Sequence, residues 1–131
     1  MTAATPAPAK KRVLVIEDDR NLNPSLVRKF ARLGFDATGC YDGQEGIDHL
    51  SRERFDCVLL DLMMPIKNGF EVLEQKPQTQ NASIPAYVLT ALGQEEKIAL
   101  ARSLGARDVF NKGDMSPAQV VDTIGQQISA A

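Results

Sequence analysis

Short apolar runs alternate with segments of helical periodicity five times along this chain, and few architectures accept that pattern. Val13-Leu14-Val15-Ile16 is a continuous, β-branched-rich run, as a strand buried on both faces of a parallel sheet requires. Leu22, Leu26, Phe30 and Leu33 follow at helical spacing, with Asn23-Pro24 as the expected cap and first-turn pair and Gly34 as the stop. Phe35 to Cys40 reads as a weaker strand. Asp42-Gly43-Gln44-Glu45 reads as a capping box opening a helix through Arg52. Phe55 to Leu60 holds the next strand, and a Pro65/Gly69 loop leads into a short helix with Phe70, Val72 and Leu73, ended by Pro77. A strand over Ala86 to Leu89, a helix over Gln94 to Leu104, a short strand at Val109-Phe110 and a helix opened by Ser116-Pro117 complete the series. Val120, Val121, Ile124 and Ile128 form the last apolar stripe.

The expected fold is therefore α/β, a (βα)₅ three-layer sandwich. Right-handed crossovers favour the flavodoxin-like strand order 2-1-3-4-5 for its five parallel strands. The chain's 131 residues suit one domain, expected over residues 11–129 after a disordered, Ala/Thr/Pro-rich leader over 1–10. No run approaches the roughly 18 apolar residues of a membrane span. A net charge of −2 gives no electrostatic basis for nucleic-acid binding, and Lys10-Lys11-Arg12 is too short a cluster to change that.

Cys40 and Cys57 fall on strands separated by a third in this order, roughly 9–10 Å apart or more. A disulfide needs Cα atoms within about 7 Å, so reduced, cytosolic thiols are expected.

In an open parallel sheet, chemistry sits beyond the carboxyl ends of the strands. The first strand ends in Glu17-Asp18-Asp19, the third in Asp61, the fourth in Thr90 and the fifth in Lys112. Taken singly, each aspartate reads as a cap or turn residue, Thr90 as a cap and Lys112 as a solvated loop lysine. Together they converge on one edge. Two carboxylates near 4 Å repel by about 4 kcal/mol at an effective dielectric of 20, so the group needs raised pKa values or a cation. Oxygen-only ligands suit Mg²⁺, and a lysine, a hydroxyl and a carboxylate beside it suit phosphoryl transfer.

At this point the chain resembles the receiver domains of two-component response regulators, over about residues 11–129. The most specific part is Asp61-Leu62-Met63-Met64-Pro65-Ile66-Lys67-Asn68-Gly69, a D-x-x-x-P-x-x-x-G loop, with Glu17-Asp18, Thr90-Ala91 and Lys112 in the family's order. The resemblance implies that Asp61 takes a phosphoryl group from phosphohistidine on a sensor histidine kinase or histidine phosphotransfer protein. It implies that Asp18, Asp61 and the Met63 backbone carbonyl bind Mg²⁺, supported by Glu17. Thr90 then donates its hydroxyl to the phosphoryl group, Lys112 pairs with it, and Ala91 keeps the approach to Asp61 open. Asp19 reads as a cap instead of a ligand.

Two departures from the family pattern bear on output. Gly113 follows the lysine where proline in a cis bond is frequent, so a trans bond and a mobile loop are expected. Val109 occupies a position often held by Tyr or Phe, and Phe110 should lie on the opposite face. Coupling between Thr90 and an aromatic is expected to be weak or rerouted. The resemblance implies a bacterial, cytoplasmic signalling protein, monomeric or weakly dimeric, which is not an enzyme but a self-phosphorylating acceptor with slow autodephosphorylation at most. An ordinary Met1 suggests a complete chain, whose signal would pass to a downstream protein through the fourth helix, fifth strand and fifth helix.

Three rival readings fit less well. A flavin-binding fold needs a phosphate cradle that Glu17-Asp18-Asp19 would repel. A haloacid-dehalogenase-type phosphatase carries a second aspartate where this chain has Met63. A degenerate receiver acting as a phosphorylation-independent binding module is opposed by the intact set of polar residues. His49, the only histidine, is expected to be an ordinary surface residue without an acidic partner.

Overall fold

A computed structural model describes residues 10–129, so the leader expected over residues 1–10 lies, Lys10 apart, outside the described residues. The strands are β1 (Arg12–Ile16), β2 (Asp36–Cys40), β3 (Cys57–Leu60), β4 (Ala86–Thr90) and β5 (Ala106–Asn111). They alternate with α1 (Leu22–Arg32), α2 (Gly43–Arg52), α3 (Gly69–Gln75), α4 (Glu95–Ser103) and α5 (Pro117–Ser129), and a 3₁₀ turn over Lys76–Gln78 extends α3. All pairings are parallel, in the order β2-β1-β3-β4-β5. The fold is flavodoxin-like, as the alternation requires.

Side-chain alternation along the central strands builds the two halves of the core. Leu14 and Ile16 of β1, Val58 and Leu60 of β3, and Val88 of β4 pack with Ile47, Leu50, Val72, Leu73 and Ala101 of α2, α3 and α4. Val13, Val15, Cys57, Leu59, Tyr87 and Leu89 face the other way, against Leu26 and Phe30 of α1 and Val120, Val121, Ile124 and Ile128 of α5. Burial on both faces is why these strands read as unbroken apolar runs. The edge strands differ. On β2 only Cys40 is buried, and on β5 only Ala106 and Phe110 are. That exposure hid the length of β5, which runs six residues instead of the expected Val109-Phe110 pair.

Cys40 and Cys57 are buried free thiols in opposite halves of the core, with β1 between their strands. Burial pushes the Cys40 thiol up to about 12 and raises Cys57 as well.

Several local expectations are corrected. Asn23 does not cap α1, which begins at Leu22. Asp19 does so, its Oδ1 accepting from Asn21 N (2.8 Å) and Leu22 N (3.0 Å). Asn23 is buried, and its Nδ2 donates to the Glu17 and Cys40 carbonyls at 2.9 and 2.8 Å, pinning α1 across the ends of β1 and β2. Asp42 accepts from Glu45 N, one half of the expected capping box. Full reciprocal boxes form at Asn68–Glu71 and Ser116–Gln119. The strand expected within Phe55 to Leu60 is there, as β3 over Cys57–Leu60, and Phe55 N ahead of it donates to Asn81 Oδ1 (2.8 Å). His49 has an acidic partner after all, pairing with Glu53 (2.7 Å) one helical turn on and lying edge-on to Phe55.

Asn81 is the polar staple of the sheet's amino-terminal edge. Besides bonding Phe55, its Nδ2 donates to Leu50 O (2.7 Å) and Glu53 O (2.6 Å), tying the end of α2 to the entry of β3. Asn81→Ala would strand these buried backbone groups at a cost of about 3 kcal/mol. The expected result is a lower urea midpoint with an unchanged slope. A loss under about 1 kcal/mol would contradict this role.

Candidate functional site

Four strand ends meet at the carboxyl edge of the sheet. Glu17 follows β1 and Asp61 follows β3; the Asp61 amide is anchored to Ile16 O (3.1 Å) and the Glu17 amide to Cys40 O (3.0 Å). Both carboxylates are buried, at 3% and 6% exposure, while Asp18 points to solvent. One oxygen from each of Glu17, Asp18 and Asp61 lies within 4.8 Å of the others. Thr90, at the end of β4, is fully buried, its Oγ1 accepting from Leu92 N (3.1 Å). Lys112 N donates to Thr90 O (2.9 Å), which sets the lysine beside the acids. Its ammonium bridges them, 2.7 Å from Glu17 Oε1 and 2.9 Å from Asp61 Oδ2.

The loop after Asp61 is folded tightly over it. Met63 N donates to Asp61 Oδ1 (3.3 Å), and Gly69 N to Leu62 O (3.0 Å). A Cβ on Gly69 would overlap the Asp61 carbonyl oxygen, so glycine is required there. Ile66 holds φ at 69°, inside a turn closed by Lys67 N donating to Pro65 O (2.8 Å). This is a γ-turn of the rarer, strained hand. A β-branched residue in it costs on the order of 1–3 kcal/mol. Ile66 and Met63 both project to solvent beside the acidic cluster. Nothing in the apolar periodicity marks Ile66 out.

Burial pushes the Glu17 carboxyl up to about 7; the Asp61 charge adds to this, while the bonds from Lys112 and from the Asp19 amide oppose it. For Lys112, burial pulls downward, but its bonds to Glu17 and Asp61 prevail and hold it above the ordinary lysine value. The site thus meets its acidic charge with one fixed cation, and burial makes Glu17 a weaker acid than an ordinary glutamate.

The sequence-expected residues Glu17, Asp18, Asp61, Thr90 and Lys112 are brought together, and Asp19 acts as a cap. Ala91 is an exposed small side chain next to Thr90. Met63 lies at the site through its amide. Gly113 N donates to Asn111 Oδ1 (2.7 Å), and no peptide bond among the described residues is cis. Val109 packs with Val88 on one face of the sheet, while Phe110 stacks on Tyr87 on the other, 6.2 Å between ring centres. The donor set of clustered carboxylates with no sulfur or imidazole fits a hard divalent cation.

The fold and site define an α/β protein of flavodoxin-like order with an acidic triad and a lysine at the carboxyl edge of its sheet. Residues 13–124 match the response regulator receiver domain, and the chain belongs to that family, the receivers of two-component systems. It is 39% identical over 101 residues to the transcriptional activator protein PfeR of Pseudomonas aeruginosa, covering 77% of this chain and 32% of PfeR. The chain spans between about a third and a half of the length of the curated relatives it matches. Its structure superposes on a CheY-like receiver domain protein from Methanospirillum hungatei with a TM-score of 0.85 at 20% identity, covering 93% and 96% of the two chains. It also superposes on the receiver domain of a Pseudomonas aeruginosa sensor histidine kinase (TM-score 0.81, 22% identity, 94% and 100% coverage), in which magnesium is coordinated in the active-site cleft.

Because the folded state raises the Glu17 pKa above its unfolded value, it binds that proton more tightly than the unfolded chain does. The stability from this group is complete below about pH 4.5 and is lost as pH rises through about 7. In chelator-containing buffer, the urea midpoint is expected to fall between pH 5 and pH 8, and Glu17→Gln is expected to flatten that fall. An equally steep fall in the variant would refute the assignment.

Proposed function

We propose that this domain accepts a phosphoryl group on Asp61 in a Mg²⁺-dependent reaction and signals by protein contact. The observation that carries the reading is the Lys112 ammonium held between Glu17 and Asp61 at 2.7 and 2.9 Å, beside an acidic triad of cation-binding spacing. A carboxylate oxygen of Asp61 attacks phosphorus; the new P–O bond forms as the P–N bond of a phosphohistidine breaks, and the donor imidazole leaves with its electron pair. Lys112 neutralises phosphoryl oxygens, and the Thr90 hydroxyl donates to one of them. Asp18, Asp61 and the Met63 backbone carbonyl would hold Mg²⁺, with Glu17 supporting it. When bound, the ion supplies charge neutralisation for the incoming group. The small Ala91 side chain leaves the approach open.

The donor is a sensor histidine kinase or a histidine phosphotransfer protein, and the product is a signal read by a downstream protein. The domain consumes its own modification and does not turn over a substrate. It acts in the bacterial cytoplasm; among the described residues no helix is long and apolar enough to cross a membrane.

Readout departs from a threonine–aromatic switch. Val109 takes the position facing the Val88 side of the sheet, and the nearest aromatic, Phe110, is committed to Tyr87 behind it. Movement of Thr90 toward a phosphoryl group therefore vacates space beside a small aliphatic residue instead of a ring.

Incubation with acetyl phosphate and Mg²⁺ is expected to give a single phosphoryl adduct by intact mass, absent in Asp61→Asn and blocked by chelator. Failure to form it would favour the phosphorylation-independent binding module.

Met63 and Leu92 flank the route of water to an acyl phosphate, and neither side chain can orient a water molecule. The phosphorylated form is expected to decay slowly for a receiver, and Met63→Asn to speed the decay severalfold. An unchanged decay rate would count against this role for Met63.

A further inference from the structure

The opposite edge of the sheet carries a second, unrelated charge problem. Lys76 follows Val72 and Leu73 at helical spacing, so it stands where α3 turns its apolar face to the core. Its side chain is accordingly buried, at 7% exposure, a rare fate for lysine without a partner. One of the three N–H donors of its ammonium goes to Ala82 O at 2.9 Å; the others find no protein acceptor among the described residues. Burial alone holds its pKa below the ordinary lysine value, with no acidic neighbour offsetting it.

Lys76 and Ala82 line a cavity of about 340 Å³, at the lower end of the range typical of small-molecule sites. Arg107, at the start of β5, lines the same cavity, and no acidic residue does. Neither cation belongs to an ion pair among the described residues. The remaining walls are largely apolar, supplied by Leu73, Pro77, Ile84, Pro85 and Leu104. The cavity opens where β4 and β5 begin. The five residues of β4 therefore separate it from Thr90 by roughly 16 Å.

Two cations line one partly apolar cavity to which the chain contributes no acid, so an anion entering it would meet positive charge without a competing carboxylate. We infer that this cavity binds a small organic anion, with one carboxylate or phosphate head held by Lys76 and Arg107 and an apolar body against Leu73, Ile84 and Leu104. The site is independent of the reading of Asp61. The bland account is that Lys76 only buries its stem and secures the Ala82 loop. That account leaves Arg107 on the same wall, and the absence of any acid there, without a role.

Residue-resolved NMR titration of the whole chain with sodium benzoate, and separately with sodium phosphate, distinguishes the two. Benzoate is expected to shift the amides of residues 73–84 and 104–107 saturably while leaving the Asp61 loop in place. Lys76→Met should weaken that binding at least tenfold, and Arg107→Ala severalfold. Saturation with benzoate well before phosphate supports an amphipathic ligand, and equal affinity for phosphate overturns the apolar half of the assignment. Absence of saturable shifts, or identical titrations in wild type and both variants, overturns the site. Should Lys76→Met fail to fold, Arg107→Ala at its exposed position decides the question by itself.

Discussion

Two carboxylates are buried side by side at the carboxyl edge of this sheet, and the Lys112 ammonium between them is what the site's geometry depends on. Glu17 and Asp61 follow adjacent strands at the centre of the sheet, so the pairing that forms the sheet also forces their charges together. Without a cation such a pair would neutralise by taking up protons or push its strand ends apart. The lysine is brought there by backbone, through the bond from Lys112 N to Thr90 O that joins β5 to β4. The same connection fixes the Thr90 backbone beside that of Lys112. A threonine, a cation and a buried carboxylate are thereby positioned by the ends of three neighbouring strands, with little left to flexible loops.

Packing behind the strand ends keeps this arrangement rigid. Asn23 bonds the carbonyls of Glu17 and Cys40, closing β1, β2 and α1 into one unit directly beneath the acidic residues. Gly69 lets α3 begin against the Asp61 carbonyl, with its amino terminus secured by the Asn68–Glu71 box. Among the described residues Ile66 is the one non-glycine residue at positive φ, where the loop reverses in solvent. Preorganisation of this kind suits phosphoryl transfer, in which the protein contributes position and charge more than covalent chemistry.

Legibility in the sequence tracked burial. β1, β3 and β4 are buried on both faces, so their apolar runs marked them as strands of a parallel sheet, and their ends put Glu17, Asp61 and Thr90 on a common edge. β5 is exposed on Arg107 and Asp108, and its alternation showed only as Val109-Phe110. Side chains whose work is polar and long-range were missed: Asn23 reads as a cap by local rules, and Asn81 carries no signal at all, because partners of theirs lie 17 and 26–31 residues away in the chain. His49 was misread for the opposite reason. Its partner Glu53 lies four residues on, at the cap just past the end of α2, a spacing that the sequence makes visible.

A half-buried and a buried lysine, at opposite edges of the sheet, show how one side chain serves different ends according to its surroundings. Lys112 enters a nest of carboxylates that holds its proton more firmly than water does, so its charge is a permanent fixture of the site. Lys76 enters an apolar wall with a single carbonyl for company, and its proton is held less firmly. A chain that needed only packing at Lys76 would be served by leucine or methionine, which fill the same volume without desolvating a charge. Its place with Arg107 on the lining of a cavity that no acid lines makes sense where the missing negative charge comes from outside the chain.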